Sequence, residues 1–362
     1  MKDNRKTRGV RSMAAALVGA VALSGMSTAG AFELPWARTP KPGMVAAAER
    51  KTLVPVGHTV GIKLFSDGVL VVGLSQIDTA DGAEAPAKNC GLKEGDIITH
   101  INRQEVDTIE EVQAVLAQSE GEPMSIRALR GDATVELTTK AVQCSTDGSY
   151  KLGAWIRDSM AGIGTVTFYD PESGVFGALG HGVSDVDTMQ LMPLSRGAIL
   201  HSSVTGVEKG QVGTPGQLRG AFDVSRDLGQ LYANTTSGIF GTLQETDGLP
   251  LGEALPVATR DEVKVGEVTI LSNIQGEEVK EYRAEILRVY PENPEDTRNF
   301  LVKVTDEALL SKTGGIVQGM SGSPILQDGK LVGAVTHVLL NDPTQGYGIL
   351  AETMLKAAAG AA

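Results

Sequence analysis

A mostly β fold in two modules is predicted for this chain of 362 residues, on three observations. Glycine is abundant, at 44 residues, and short Val- and Ile-rich runs alternate with Gly, Asp and Asn punctuation, the pattern of many strands joined by tight turns. Helical periodicity is confined to a few short stretches. The length exceeds what one small core needs and suits two domains. Charge excludes one class of partner: at a formal net charge of -12 the chain offers no basic surface for nucleic acid. Cys90 and Cys144 sit in no metal-ligand or CxxC spacing and are read as small apolar residues, so no metal or cofactor is expected.

Residues 1–31 read as an export signal. Lys2, Arg5, Lys6, Arg8 and Arg11 precede the apolar run Met13 to Leu23, and Ala29 and Ala31 fit a small-residue cleavage site. The run is shorter than the roughly 20 residues of a spanning helix, which favours removal, although a retained signal also tethers a protein beside the membrane. Residues 32–51, with three prolines in FELPWARTPKPG, read as an extended linker.

The first module is assigned to residues 52–143. VPVGHTVGIKLFSDGVLVVGLSQI reads as two strands around a Ser66-Asp67-Gly68 turn, and AKNCGLKEGDIITHINRQEV as a helical turn, a turn at Glu94-Gly95-Asp96 and a strand through Ile97 and Ile101. Thr108 and Glu111 form a capping box ahead of an amphipathic helix whose apolar face is Ile109, Val112, Val115 and Leu116. A hairpin turning at Arg130-Gly131-Asp132 closes the module. This order resembles a PDZ domain of the kind attached to bacterial proteases. The resemblance implies a groove that takes up an extended peptide as an added strand, with Val60, Gly61 and Ile62 of HTVGIKL presenting amides to the peptide C-terminus.

The second module, residues 145–362, is long enough for the two β-barrels of a chymotrypsin-like hydrolase. In QGMSGSP, small residues before and after Ser321 allow the backbone to form a nest of N–H groups, so Ser321 fits a nucleophile with the amides of Gly319 and Ser321 as oxyanion donors. Ser323 occupies the variable position of the G-x-S-G-x-P pattern, and a hairpin turning at Asp328-Gly329 follows. A serine nucleophile needs a base. His181, flanked by Gly180 and Gly182 after an apolar strand, is the best placed of three histidines, whereas His201 and His337 read as strand residues. For the acid behind the base, Asp185, Asp187, Asp223, Asp306 and Asp342 remain open.

TFYDPESGVFGALGHGVSDVDT, KGQVGTPGQLRGAF and FLVKVTDEALLSKTGGIVQGMSGSPILQDGKLVGAVTHVLLNDPTQGYGI, behind a PDZ-like module, resemble the stage IV sporulation protein B peptidases of endospore-forming bacteria. The resemblance implies a serine endopeptidase with Ser321 as nucleophile, His181 as general base and Asp306 as third member. It also implies export across the forespore membrane into the intermembrane space and cleavage of a membrane-bound regulator of an intramembrane metalloprotease. That cleavage leads to activation of a late sigma factor, and self-cleavage occurs near the N-terminus. The competing readings are a general envelope quality-control PDZ protease and a non-catalytic PDZ scaffold.

Overall fold

The structure, a computed structural model, describes residues 50–244, 246, 249–293 and 297–361. The predicted signal and nearly all of the Pro-rich linker lie outside the described residues, and no helix among those described is long and apolar enough to cross a membrane.

Strand β1 (Thr52–Pro55) leads into β2 (Thr59–Leu74), which is a single strand of 16 residues. The predicted Ser66-Asp67-Gly68 turn is absent. Gly68 adopts φ +85° and donates its N–H to Asp107 Oδ1 at 2.9 Å, so a local bend replaces a reversal of direction. Before the bend, β2 belongs to a barrel; after it, β2 belongs to the PDZ-like sheet. A second strand of 16 residues, β6 (Ala154–Tyr169), runs antiparallel to β2 along its whole length, from Thr59↔Thr165 to Leu74↔Ala154. At about 3.3 Å per residue each strand spans roughly 50 Å, enough to pass through two modules.

The first barrel therefore closes around β2. Besides β2 and β6 it contains β7 (Val175–Ala178), β8 (Arg196–Glu208), β9 (Gln217–Thr235) and β10 (Gly238–Leu243). Pairing runs β2–β6–β7–β10–β9–β8 and returns from β8 to β2 through Ile62↔Ile199. The division at residue 144 thus has to be corrected: β1 and the first half of β2 precede the PDZ-like module in sequence but belong to the peptidase fold. Val60, Gly61 and Ile62 are corrected with it. All three are buried within a barrel strand that is hydrogen-bonded on both edges, to β6 and to β8, so they present nothing to a peptide terminus.

The PDZ-like module is inserted between the two long strands. Its sheet continues from β2 to β3 (Ile97–Ile101), β4 (Pro123–Arg130) and β5 (Ala133–Lys140). Helix α1 (Ile109–Ser119) packs on that sheet through Val112, Val115 and Leu116. Its capping box forms as the sequence implies: Glu111 N donates to Thr108 Oγ1 at 3.2 Å, and Thr108 N donates to Glu111 Oε2 at 3.0 Å. Cys90 and Cys144 are both free thiols.

A second closed barrel contains β11 (Gly266–Ser272), β12 (Lys280–Val289), β13 (Phe300–Val304), β14 (Pro324–Gln327), β15 (Lys330–Leu339) and β16 (Asp342–Leu350). Ile270, Ile286, Phe300, Val302, Ile325 and Val335 fill its core at 0% exposure; side chains of this kind contribute about 1.5–3 kcal/mol each when fully buried. Helix α2 (Glu307–Thr313) leads from β13 to the Ser321 turn, and α3 (Ala351–Ala361) packs on the outside through Met354 and Ala358. The two barrels are joined by polar contacts: Thr59 of β2 donates its N–H and hydroxyl to the buried Asn273 Oδ1, at 2.6 and 2.9 Å.

Candidate active site

A cleft of about 930 Å³ separates the barrels. Ile163, Leu179 and His181 line one wall, and Gly319, Ser321, Thr336 and His337 line the other. The histidine and serine chosen from sequence thus come from different barrels and share one cavity.

His181 follows β7 in a tight turn. Leu179 has φ +67° and Gly180 has φ +71°, left-handed conformations that are costly for a residue such as leucine and free for glycine. A Cβ at Gly180 would lie 2.7 Å from Ile349 Cγ2 and 2.9 Å from Thr336 Cγ2, so glycine lets the turn press against the second barrel. The ring is then fixed by its own chain: His181 Nδ1 lies 2.8 Å from the Gly182 carbonyl. A carbonyl only accepts, so Nδ1 carries the proton and Nε2 is the basic nitrogen. Burial pushes the His181 pKa below its ordinary value, opposed by the Gly182 hydrogen bond. The neutral base is therefore the resting form at pH 7.

Ser321 sits in a turn stitched to β6. Thr165 N donates to the Ser321 carbonyl at 3.0 Å, and Thr165 Oγ1 donates to the Gly319 carbonyl at 2.7 Å. Gly322 has φ +96°, and a Cβ there would overlap the Thr165 carbonyl and lie 2.6 Å from Leu179 N. Only glycine allows the nucleophile turn this close to the histidine strand. Within the turn, the amides of Met320, Gly322 and Ser323 donate to the carbonyls of Val317, Val335 and Met320, whereas those of Gly319 and Ser321 donate to no carbonyl among the described residues. The Ser321 hydroxyl itself donates to the Thr336 carbonyl at 2.7 Å. Among the described residues no hydrogen bond links it to His181, so the hydroxyl is turned to the second barrel's backbone rather than to the histidine.

Ser323 points the other way. Its side chain is 0% exposed and its hydroxyl bonds Ser272 Oγ at 3.2 Å inside the second barrel, which removes it from the cleft.

The acid assignment has to be corrected. Asp306 caps α2: its Oδ1 accepts from Ala308 N and Leu309 N, both at 3.0 Å. Burial raises its pKa, but hydrogen bonds from the amides of Leu309, Arg283 and Ala308 outweigh it and hold the carboxyl below its ordinary value. The carboxylate is spent on the helix, and the partner of His181 Nδ1 is a backbone carbonyl. Asp223 bonds Ser225, Asp342 bonds Thr344 and Gln345, and Asp185 and Asp187 bond Arg157. Because asparagine caps helices about as well as aspartate, Asp306→Asn is expected to leave Tm nearly unchanged and to cost less than roughly tenfold in turnover. A triad acid replaced by its amide loses on the order of 10⁴-fold, and steady-state kinetics beside thermal melting decides between the two.

Sequence reasoning missed two neighbours of the site. His337, taken as a strand residue, lies with its ring centroid 5.0 Å from that of His181. Desolvation by burial, and then the charges of a protonated His181 and of Arg298, lower its pKa to about 4, so it stands beside His181 as an uncharged ring at neutral pH. Asn234, near the end of β9, accepts from Val183 N and donates to the carbonyls of Val183 and Met192, each at 2.8 Å, and so pins the segment after His181. The polar run ANTTSG at the end of a long strand was the available signal.

A second cavity, of about 910 Å³, lies between α1 and the start of β6. Ile109, Val112 and Leu116 form one side, and Leu152, Trp155 and Ile156 form the other. The first residues of β6 pair with β2 on one edge and with no strand among the described residues on the other. This edge beside a helix lies far along the chain from HTVGIKL and leaves its backbone groups open to strand pairing.

Two barrels flanking a histidine–serine cleft, with a PDZ-like module threaded through the first, define a PDZ-bearing serine endopeptidase. Residues 148–355, more than half of the chain, match the family model described as SpoIVB peptidase S55, and residues 79–130 match that of a PDZ domain. The chain belongs to the SpoIVB peptidase S55 family. Among solved structures, the PDZ domain of the SdrC-like protein from Listeria monocytogenes is 23% identical over 25% of this chain and 87% of its own, with a TM-score of 0.21. The active form of the Rv3671c protease from M. tuberculosis is 15% identical over 69% of this chain and 84% of its own, with a TM-score of 0.30. Its inactive form is 12% identical over 56% and 84%, with a TM-score of 0.31. No curated protein matches the chain at a significant level.

Proposed function

We propose that the protein is a site-specific endopeptidase in which Ser321 is the nucleophile, His181 the general base, and the amides of Gly319 and Ser321 the oxyanion donors. The observation that carries this reading is the meeting of His181 and Ser321 from opposite barrels in one cleft, beside two unspent amides. The Ser321 hydroxyl leaves the Thr336 carbonyl and donates to His181 Nε2. As the oxygen attacks the scissile carbonyl, its proton passes to the ring, and the two amides take up the charge that develops on the substrate oxygen. The imidazolium then protonates the leaving amine, and the acyl-enzyme is hydrolysed by water that His181 deprotonates in turn. A backbone carbonyl in place of a carboxylate holds the tautomer but supplies a dipole rather than a charge, so the imidazolium is stabilised less.

Family membership and the PDZ module support the biological setting: export across the forespore membrane, cleavage of a membrane-bound regulator of an intramembrane metalloprotease, and consequent activation of a late sigma factor in endospore formation. Self-cleavage near the N-terminus belongs to the same reading. Mass spectrometry of the wild type beside Ser321→Ala, each co-expressed with a candidate regulator, tests it. Cleavage of regulator and leader by the wild type alone is expected, and equal cleavage by both chains overturns it.

The depressed His181 pKa sets the pH response. The base works only when neutral, so hydrolysis is expected to persist as pH falls through the ordinary histidine value of about 6.5 and to decline only through the lower value. A kcat/KM profile with its acid midpoint at or above 6.5 contradicts this assignment.

A further inference from the structure

The segment after His181 is built around one buried carboxylate. Asp185, 0% exposed, accepts from Asp187 N at 3.0 Å, Thr188 N at 2.8 Å and Thr188 Oγ1 at 3.1 Å. Its own N–H donates to the Gln190 carbonyl at 2.9 Å, folding residues 184–191 back on themselves. The cation that answers this carboxylate comes from outside the segment: Arg157 of β6 pairs with Asp185 through Nη1 and with Asp187 through Nη2, the latter at 3.0 Å.

Arg157 stands immediately after Trp155 and Ile156, which line the PDZ-like groove. Apolar contacts follow the same route. Met192 is buried against Leu64 and Leu70 of β2, with Ile97 of β3 and Val183 packed alongside. Gly95 of the PDZ-like module is pressed so closely on Gln190 that a Cβ there would overlap the side-chain amide. One end of the histidine segment is thus held by Asn234 of the first barrel, and its middle rests on the inserted module.

We infer that Arg157 is a positioning residue for His181, clamping the histidine segment through Asp185 and Asp187 to the strand that edges the PDZ groove. The PDZ-like module is then part of the support of the catalytic base as well as a peptide reader. Among the described residues no other cation contacts the Asp185 carboxylate, so loss of Arg157 expels or reorganises the segment that orients the ring. The inference rests on the assignment of His181 as base.

Two measurements on the full chain test it. Ring-nitrogen NMR reads the His181 tautomer: the wild type is expected to show a single Nδ1–H form, and Arg157→Met a mixture. A fluorophosphonate probe reads the site: Arg157→Met is expected to be labelled with an inactivation rate constant on the order of 10- to 100-fold lower at a similar KI. Arg157→Lys, which keeps a charge but cannot fork to two carboxylates, is expected to recover part of both signals, and it serves alone where the methionine variant does not fold. A wild-type tautomer and rate constant in a folded Arg157 variant overturns the inference. Failure of the wild type to label at Ser321 sinks the peptidase assignment instead, while the tautomer measurement still decides the role of Arg157.

Discussion

Ser321→Ala is expected to lower peptide hydrolysis by on the order of 10⁴-fold or more, because the variant loses the hydroxyl that attacks the scissile carbonyl from the nucleophile turn. Ser323→Ala is expected to stay within a few-fold of the wild type. The difference follows from geometry: two hydroxyls one glycine apart in QGMSGSP point into different compartments. Ser321 faces the cleft from a turn held by Thr165, while Ser323 is buried against Ser272. Removing the Ser323 hydroxyl forfeits one neutral hydrogen bond, about 1 kcal/mol, which a thermal melt registers and a rate assay does not. Initial rates on a common peptide substrate, with phosphonate labelling to count active sites, are the check. Comparable activity in wild type and Ser321→Ala ends the mechanism.

A chain cut to residues 145–362 is expected not to fold, although it contains all of the family match. It lacks β1 and β2, and β2 closes the first barrel between β6 and β8. Without β2, two long strands present open edges and the floor beneath Ile199 and Val166 is lost, the circumstances that lead sheets to aggregate. A chain keeping residues 50–65 and joining them by a short glycine-containing loop to Ser159 restores the strand, since Phe65 and Ser159 are register partners that a tight hairpin can connect. That chain is expected to melt cooperatively yet to be labelled slowly, because it lacks Arg157. Circular dichroism, melting and labelling of the two chains give the answer, and a cooperative melt from 145–362 contradicts the insertion.

Much of the local structure was legible because its causes are local. The capping box at Thr108 and Glu111, the Asp328-Gly329 hairpin and the glycine-rich nucleophile turn each depend on residues within one or two turns of one another. His181 was legible for a related reason: flanking glycines mark a turn whose backbone must lie close to another element. Three features were not legible. Ser66-Asp67-Gly68 has the composition of a reverse turn, and whether glycine at positive φ ends a strand or bends it depends on partners present along both halves, here β6 throughout, β8 before the bend and β3 after it. HTVGIKL has the composition of a carboxylate-binding loop, yet it is consumed by barrel pairing, leaving the free edge to β6 some 90 residues later. Asp306 follows a strand, the place sequence reading gave a triad acid, and equally precedes a helix that needs a cap; the helix amides hold its carboxylate.

By itself the sequence determined a mostly β chain, a PDZ-like module and a glycine-framed serine and histidine, since these follow from composition, periodicity and short-range geometry. Tertiary structure alone decided that the PDZ-like module is an insertion in the first barrel, that a carbonyl rather than Asp306 orients His181, and that Arg157 underpins the histidine segment. The reason is physical: a strand edge, a buried charge and a base each acquire their role from whichever partner occupies the neighbouring space, and that partner is chosen by barrel closure between residues scores of positions apart.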